Sequence, residues 1–273
     1  LEAEIVLLKA KIKQLEDQLH PPTTSRTTTS RITTPPPQPP EVFILRETFQ
    51  SALDPQKYIF LCNDPAANFK WVSPGNMDVV FVAGKTTGSA IDSTSGKVLR
   101  SEFMQRKIGQ TTGGTPQGLP IGDSYGIVVD ITIPADYNPA VSSSPNEKRN
   151  LAQLWESSTV PPFAVELIKP SLPPWNGTTN VLRLTVAGTN PWIQPVQPGN
   201  RYRLALKVLL HKTTGKLSVN LNGNDFPEII HPTCFGTSIQ MVPHFGLYLP
   251  GSNNDPVNGK AVLRYHEVSF KDL

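Results

Sequence analysis

Four polar side chains between residues 100 and 248 have the types that acid–base chemistry on an anionic sugar needs: Arg100, Gln153, His244 and Tyr248. An arginine and a glutamine can bind a uronate carboxylate, and an imidazole base with a phenolic acid is what β-elimination requires. In the segment HFGLY, a strand would place His244 and Tyr248 on one face, with Gly246 leaving room between them. These residues form a candidate catalytic set if the fold brings them to one concave sheet.

Glu102 lies on the same predicted strand as Arg100. The segment VLRSEF reads as a strand, and its alternation puts Arg100 and Glu102 on one face. The pair fits a substrate-binding role, and it fits a cross-strand ion pair on a solvated face equally well.

Gln153 belongs to a predicted strand–turn–strand unit that runs from Asn150 to Leu167, NLAQLWESSTVPPFAVEL. Strand-forming side chains surround it, namely Leu151, Trp155, Phe163 and Val165. Pro161 and Pro162 cannot donate to a ladder, so they mark the connection between the two strands. A lone glutamine in such a setting is more often hydrogen-bonded inside a sheet, or turned to solvent, than functional.

Three tryptophans are candidates for stacking on sugar rings: Trp155, Trp175 and Trp192. Trp175 and Trp192 sit in the segments LPPWNGTTN and GTNPWIQP, which read as loops in which an indole is exposed. Aromatic side chains are more often core, so each tryptophan also fits an anchoring role. In the same way, Tyr248 could serve only in packing, and His244 could be a polar residue whose hydrogen bonds are satisfied within the protein.

Composition narrows the classes of function. The chain has 273 residues, 28 prolines and 38% apolar residues, enough for one large domain with a core. A formal net charge of +3, without Lys/Arg clusters interleaved with aromatics, argues against a nucleic-acid partner. The sequence contains no run of eighteen or more apolar residues, so a membrane span is not predicted.

Neither a metal nor a cofactor is predicted. The five histidines are scattered, and no Cys/His cluster has the spacing of a zinc site. Cys62 and Cys234 are far apart in sequence, and they fit one long-loop disulfide or two buried thiols equally well.

The first twenty residues read as a coiled-coil helix. Apolar residues alternate steps of four and three at Leu1, Ile5, Leu8, Ile12, Leu15 and Leu19. β-Branched residues at a with leucine at d favour a parallel dimer, and a trimer is also compatible with so few heptads. In a parallel pair, Glu4 of one helix would face Lys9 of its partner. A lone amphipathic helix lying on the globular domain is the less favoured alternative, because an isolated helix of this length is marginal in water. We therefore expect a homo-oligomer joined through residues 1–19.

Residues 21–40 are predicted to be an extended linker. The segment is almost wholly Pro, Thr, Ser and Arg, with nothing to bury. Proline-rich chains extend at about 3.1 Å per residue and act as semi-rigid spacers. Thr and Ser beside Pro are also typical of O-glycosylated stalks, which favours an extracellular or virion or cell-surface location.

Residues 41–273 are predicted to form an all-β head. Short strands alternate with turn residues about every ten positions, without a helical period. The predicted strands are Asp78–Ala83, Val98–Lys107, Tyr125–Pro134, Asn180–Ala187, Tyr202–Leu210, Lys216–Asn222, Pro243–Leu249 and Ala261–Lys271. In RYRLALKVLL the apolar and polar residues alternate, and Asn222-Gly223 signals a tight turn. The pattern predicts two large sheets packed as a jelly roll, with a groove on the sheet that curves inward.

The order of these motifs resembles the jelly-roll polysaccharide lyases of the heparin lyase I, glucuronan lyase and alginate lyase kind, whose fold is concanavalin A-like. The resemblance covers most of residues 41–273: RSE at 100–102, then QLW followed by Pro-Pro and an apolar strand, then GLY at 246–248. It implies that Arg100 and Gln153 hold the substrate carboxylate, with His244 as base and Tyr248 as proton donor.

One departure from the family pattern changes the expected activity. In such lyases the inner strand typically reads Gln-x-His, whereas here it reads QLW, and the indole of Trp155 cannot take a proton at neutral pH. Either His244 takes over as base with Tyr248, or the scaffold has lost its chemistry and retained binding. An indole at this position can still stack on a sugar.

The sequence therefore favours a polysaccharide-recognising head with a degraded catalytic set, displayed in two or three copies on a stalk, as in a surface adhesin or a virus or phage fibre. Its expected catalytic residues are Arg100, Gln153, His244 and Tyr248, and its expected substrate-binding residues are Glu102, Trp155, Trp175 and Trp192. An active lyase that cleaves a uronate polymer is the first alternative. A structural spike that binds another protein is the second.

Overall fold

The computed structural model of the protein describes residues 43–62, 64–82, 90–91, 98–112, 114–137, 147–156, 161–170, 173–175, 177, 179–235, 240–248 and 260–273. The chain divides into two compact units, Leu1–Pro40 and Glu41–Leu273. The predicted coiled coil and linker lie outside the described residues.

The described part of the second unit is built almost wholly of strands. In chain order these are β1 (Phe43–Glu47), β2 (Tyr58–Leu61), β3 (Phe69–Ser73), β4 (Asn76–Val82), β5 (Ala90–Ile91), β6 (Val98–Gln105), β7 (Leu119–Pro120), β8 (Ser124–Thr132), β9 (Glu147–Trp155), β10 (Phe163–Lys169), β11 (Asn180–Val186), β12 (Thr189–Val196), β13 (Arg201–Leu209), β14 (Lys216–Leu221), β15 (Asn224–Asp225), β16 (Ile229–Ile230), β17 (Gln240–Tyr248) and β18 (Lys260–Asp272). One helical turn, α1 (Pro65–Asn68), precedes β3.

The strands form two antiparallel sheets. Sheet A has the order β15-β14-β13-β8-β18-β4-β3, with β1 paired to β18 and β16 paired to β14. Sheet B has the order β12-β11-β10-β9-β17-β6-β2, with β5 paired to β6 and β7 paired to β17. The all-β jelly-roll sandwich predicted for the head is confirmed.

The core lies between the sheets, and alternation explains which residues fill it. In β13 every second residue, from Tyr202 to Val208, is buried, while Arg201, Arg203 and Lys207 are exposed. Successive side chains on a strand point to opposite faces, so the apolar set meets the apolar set of the other sheet.

The predicted strands agree with the observed ones to within a few residues. The predicted turn at Asn222-Gly223 is also confirmed, because both residues have positive φ (52° and 87°) between β14 and β15, as a two-residue hairpin needs. The helical turn α1 was not predicted. Its N-cap Asp64 accepts a hydrogen bond from the Ala67 amide, the usual way to satisfy a free amide at a helix start.

Candidate functional site

Three adjacent strands in the middle of sheet B carry most of the predicted site residues. On β17, His244 lies opposite Gln153 of β9, and Tyr248 lies opposite Arg100 of β6. Glu102 lies opposite Gly246. The alternate residues of these strands belong to the core, so the named residues face outward, away from sheet A. We call this set the outer polar site: Arg100, Glu102, Gln153, Trp155, His244 and Tyr248.

A hydrogen-bonded network lies at the base of the outer polar site. The side-chain amide of Gln153 donates from Nε2 to Oε1 of Glu102 across 2.8 Å. Oε1 of Gln153 accepts from Nδ2 of Asn150 at 2.9 Å. All three side chains are almost fully buried, so these bonds satisfy polar groups that would otherwise cost free energy. The prediction that Gln153 sits in an apolar setting with hydrogen-bond partners fits this arrangement.

Asn150 is a member of this network that the sequence did not reveal. In a regular strand, residues 150 and 153 would point to opposite faces. Here the pairing of β9 with β10 shifts by one residue: Ala152 lies opposite Val165, and Asn150 lies opposite Glu166. This bulge turns Asn150 to the same face as Gln153, and no residue pattern in the segment announces it.

His244 is buried within the site. Only 2% of the residue is exposed, and its Nδ1 lies 3.6 Å from Oε2 of Glu102, too far for a hydrogen bond. Neither ring nitrogen has a hydrogen-bond partner among the described residues. A protonated His244 would form an ion pair with Glu102, because Oε2 of that carboxylate is unbonded as well.

Trp155 is the exposed aromatic of the site. Its indole contacts the imidazole of His244 edge-on, with ring centroids 5.9 Å apart, and 36% of the residue remains exposed. An indole has a broad apolar face that can pack against the apolar face of a ligand.

Arg100 and Tyr248 form a second, partly exposed pair. The guanidinium carbon of Arg100 lies 5.0 Å from the centroid of the Tyr248 ring, in the range of a cation–π contact. Their placement on paired strands fits the hypothesis that the candidate residues share one face of a sheet. The pair adds a positive charge and a phenol to this face, six residues along β17 from Val242, which lies opposite Trp155.

Gly246 allows these strands to fit together. Its φ is +127°, and a Cβ at this position would collide with the backbone of Ser101 on β6. The glycine is therefore required for the close approach of β17 and β6.

A buried ion pair extends the polar row on the outer face of sheet B. Glu166 lies opposite Asn150 on one side and Arg183 on the other. Arg183 binds Oε2 of Glu166 through Nε at 2.7 Å and Nη2 at 2.6 Å. Sequence reasoning missed this pair, although strand alternation in FAVELIK and NVLRLTV could have placed both on the outer face.

Two predicted sugar-binding tryptophans are not part of the outer polar site. Trp192 was expected in an exposed loop, but it lies on β12, is 6% exposed and packs edge-on against Phe226 in the core. That expectation is wrong, because the indole lies opposite Leu184 on the inner face of sheet B. Trp175 lies in the turn region between β10 and β11, where it is half-buried.

The two cysteines are both free thiols, so the disulfide alternative is excluded in this structure. Burial raises the pKa of Cys62 to about 12, with a further contribution from the Asp64 carboxylate. Burial also raises the pKa of Cys234. Within the described ranges, no group of three or more His, Cys, Asp or Glu side chains could hold a metal ion. No helix in the same ranges is long and apolar enough to cross a membrane.

Comparison with known proteins identifies the fold. No family model matches the sequence, and no curated protein matches it. Among solved structures, a polysaccharide lyase family 7 alginate lyase matches with a TM-score of 0.54 and 14% identity, covering 81% of this chain and 97% of that one. An endo-1,3-β-glucanase from Streptomyces sioyaensis matches with a TM-score of 0.51 and 7% identity, covering 88% of this chain and 99% of the enzyme.

These matches define the class of the head. It has the jelly-roll sandwich of the polysaccharide lyases and of a glucanase, as the motif order predicted. At such low identity the likeness shows the fold alone, so function has to be argued from the site.

Proposed function

We propose that the head binds a polysaccharide on the outer face of sheet B and does not cleave it. One observation carries this proposal: the exposed Trp155 indole lies against the imidazole of His244, which is buried with Glu102 and Gln153. The surface residue suits stacking on a sugar, whereas the imidazole that would act as the base lies beneath it.

The network at the base of the site argues against elimination. In a lyase of the resembled kind, Gln153 would hold the substrate carboxylate, but here its amide donates to Glu102 and accepts from Asn150. The Glu102 carboxylate beside it would also repel a uronate carboxylate at this depth. Both features favour a supporting role for these side chains.

Binding would be shared between the indole and a charged pair. Trp155 offers an apolar face, and Arg100, held over the Tyr248 ring, offers a charge-assisted donor to a carboxylate or hydroxyl. Aromatic residues and arginine dominate many binding surfaces. Trp155 lies opposite Val242 and Arg100 lies opposite Tyr248, six residues further along β17, so the two contacts are about 20 Å apart. The arrangement fits a sugar polymer that lies across strands β6, β17 and β9.

Display in several copies would strengthen a weak single site. The heptad pattern of residues 1–19 supports a parallel dimer or a trimer, and residues 21–40 would space the heads from the coil. Linking sites in this way raises avidity by about 10² to 10⁴ without new contacts. The plan suits a protein on a virion or cell surface, or one that is extracellular.

Replacement of Trp155 in the full chain tests the proposal. We expect Trp155→Ala to weaken binding to a uronate polysaccharide such as alginate by about tenfold or more, equivalent to about 1.4 kcal/mol, in a sedimentation or surface-binding assay. Trp71→Ala is the matched control, because Trp71 is 43% exposed and lies on β3 of the other sheet. Equal binding by wild type and Trp155→Ala would reject the proposal. Failure of wild type to bind any glycan, with a protein copurifying instead, would favour a structural spike.

An active uronate lyase is the second candidate. It is favoured by the placement of Arg100, Gln153, His244 and Tyr248 on adjacent strands. The two ring nitrogens of His244 also favour it, since the described ranges offer them no hydrogen-bond partner. A rise in absorbance from unsaturated product, on alginate, glucuronan or heparin, would establish it. That rise would have to disappear in Tyr248→Phe and persist in Trp71→Ala.

A further inference from the structure

A groove crosses the outer face of sheet A, on the side of the sandwich opposite the outer polar site. It encloses about 370 Å³ and has small residues on its floor: Gly126 and Val128 of β8 and Ala205 of β13. In register, Ala205 lies between Val128 and Asn220. Because these side chains are short, they leave a depression in the middle of the outer face of sheet A. The adjacent strands β14, β13, β8 and β18 form its middle, which spans about 14 Å, and β15 and β1 add residues at its ends.

Long basic side chains border this floor. Lys207 lies opposite Gly126, and Lys271 lies opposite Gly126 on its other side. The alkyl stem of Lys271 rests directly over Gly126, where a Cβ would be only 2.8 Å from its Cγ and Cε. Arg203 and Arg46 line the groove on its other border.

The groove continues into a second cavity. This neighbouring space, of about 410 Å³, is lined by Ser124, Lys216 and Glu228 among others, and it shares Lys207 and Ser218 with the groove. Lys207 therefore stands between two adjoining depressions and can reach a ligand in either one.

The charge in the groove is positive. Its main acid, Glu267, is bound by Arg46 and by Arg203, each at 3.3 Å. Asp225 accepts a hydrogen bond from Asn220. Lys207 is exposed and has no ion-pair partner among the described residues, and Lys271 adds a further positive charge. A strongly hydrated ammonium group without a partner is available to an anion.

We infer that this groove is a second carbohydrate-binding site, one that takes an acidic oligosaccharide. Its basic border complements carboxylates, and Ser218 and Asn220 offer hydroxyl and amide groups to sugar hydroxyls. Phe43, at one end, adds an aromatic ring. Packed sheets lie about 10 Å apart, so the two faces bind separate ligands or separate stretches of polymer.

The test uses the full chain with the outer polar site disabled by Trp155→Ala. The probes are a uronate tetrasaccharide prepared from alginate and a neutral glucose tetrasaccharide, titrated calorimetrically at low and at physiological ionic strength. We expect Trp155→Ala to retain uronate binding that weakens with salt. Adding Lys207→Glu should weaken this binding by about tenfold or more.

Two further variants control for charge and for fold. Lys212→Glu, in the exposed turn after β13, makes the same change of net charge outside the groove and should leave binding unaltered. Ala205→Leu fills the floor without a charge change and should weaken binding as Lys207→Glu does. Thermal unfolding of each variant verifies that it folds.

The outcomes separate this inference from the proposed function. Loss of all binding in Trp155→Ala alone would overturn the second site and leave the first. Unchanged binding in Trp155→Ala together with loss in Lys207→Glu would reject the first site and support the groove. Equal effects of Lys212→Glu and Lys207→Glu, equal binding of the neutral probe, or full displacement by polyglutamate would each overturn a groove site that selects an acidic oligosaccharide.

Discussion

Gln153 donates a hydrogen bond to Glu102 across a strand that separates their own: Gln153 lies on β9, Glu102 lies on β6, and β17 runs between them. On β17, Gly246 lies opposite Glu102 and His244 lies opposite Gln153. A glutamine that could bind a substrate carboxylate is thereby held by a carboxylate of the protein itself. The relationship supports the proposal that the outer polar site binds a polysaccharide without cleaving it.

Removal of Glu102 should destabilise the head. In Glu102→Ala the buried Nε2 of Gln153 loses its acceptor, so we expect the free energy of unfolding to fall by about 1–3 kcal/mol. Urea unfolding followed by fluorescence measures the change. Glu228→Ala is the control, because Glu228 is half exposed and pairs only with Lys216 at 3.5 Å; its effect should stay below about 0.5 kcal/mol. Equal stability of the two variants would contradict the network.

Gly246 should tolerate no side chain. A Cβ would strike the backbone of Ser101, and a φ of +127° is strained for any L residue, so Gly246→Ala should cost about 3 kcal/mol or more. Gly223→Ala is the matched control, since Gly223 also has a positive φ (+87°) but has nothing within 4 Å of the added carbon. It should cost about 1 kcal/mol from the left-handed backbone alone. Similar midpoints in urea would argue against the close approach of β17 and β6.

Trp192 should matter for stability and not for binding. Truncation to alanine leaves a large cavity in the core, so Trp192→Ala should lower the free energy of unfolding by about 3–5 kcal/mol. Trp192→Phe should cost much less, because phenylalanine fills most of the space and removes an indole N–H that has no hydrogen-bond partner in the described part of the chain. Glycan affinity of the folded Trp192→Phe protein should equal that of wild type. A tenfold loss of glycan affinity in Trp192→Phe would indicate that Trp192 contacts the glycan, and would contradict its burial in the core.

Both cysteines should resist alkylation in the folded protein. With the pKa of Cys62 raised to about 12 by burial and by Asp64, and the pKa of Cys234 also raised by burial, almost no thiolate exists at pH 8. Mass spectrometry after iodoacetamide treatment should show negligible labelling in native buffer and two labels in denaturant. Absence of labelling in denaturant without reductant would reveal a disulfide and contradict the free thiols.

His266 should make stability fall gently in mild acid. Its Nδ1 donates to the carbonyl oxygen of Gly75 at 3.1 Å, so the neutral ring accepts from the Thr132 hydroxyl through Nε2 at 2.8 Å. Burial lowers the pKa of His266 below its usual value, so the folded state binds a proton less readily than the unfolded chain. This contribution is fully present above about pH 6.5 and decreases as pH falls below it towards the folded pKa. Urea midpoints from pH 7 to pH 5 should decline less in His266→Gln than in wild type; parallel declines would contradict this role.

Local patterns in the sequence were enough to predict the architecture of the head. The alternation in RYRLALKVLL fixes which face of β13 is buried, because side chains on a strand alternate at every residue. Asn222-Gly223 fixes a hairpin, because both residues tolerate positive φ. Such signals depend only on residues close together in the chain. The order of the motifs then indicated the lyase-like jelly roll.

The position of β12 at the edge of sheet B explains why the local sequence pattern placed Trp192 wrongly. Prolines in TNPWIQPV suggested a loop with an exposed Trp192, yet the segment is β12. It is the last strand in the order of sheet B, and an edge strand tolerates prolines because its free side needs no donors. Whether a strand is at an edge depends on the whole sheet.

The sequence by itself determined most of the long strands, their buried faces and the residue types of the outer polar site. Only the tertiary structure decided the pairing that sets Gln153 opposite His244, the bulge that turns Asn150 to the same outer face as Gln153, and the groove over Gly126 on the other sheet. The physical reason is that register and bulges follow from hydrogen bonds and packing between segments far apart in the chain. Strand periodicity records only which side of its own strand a residue occupies.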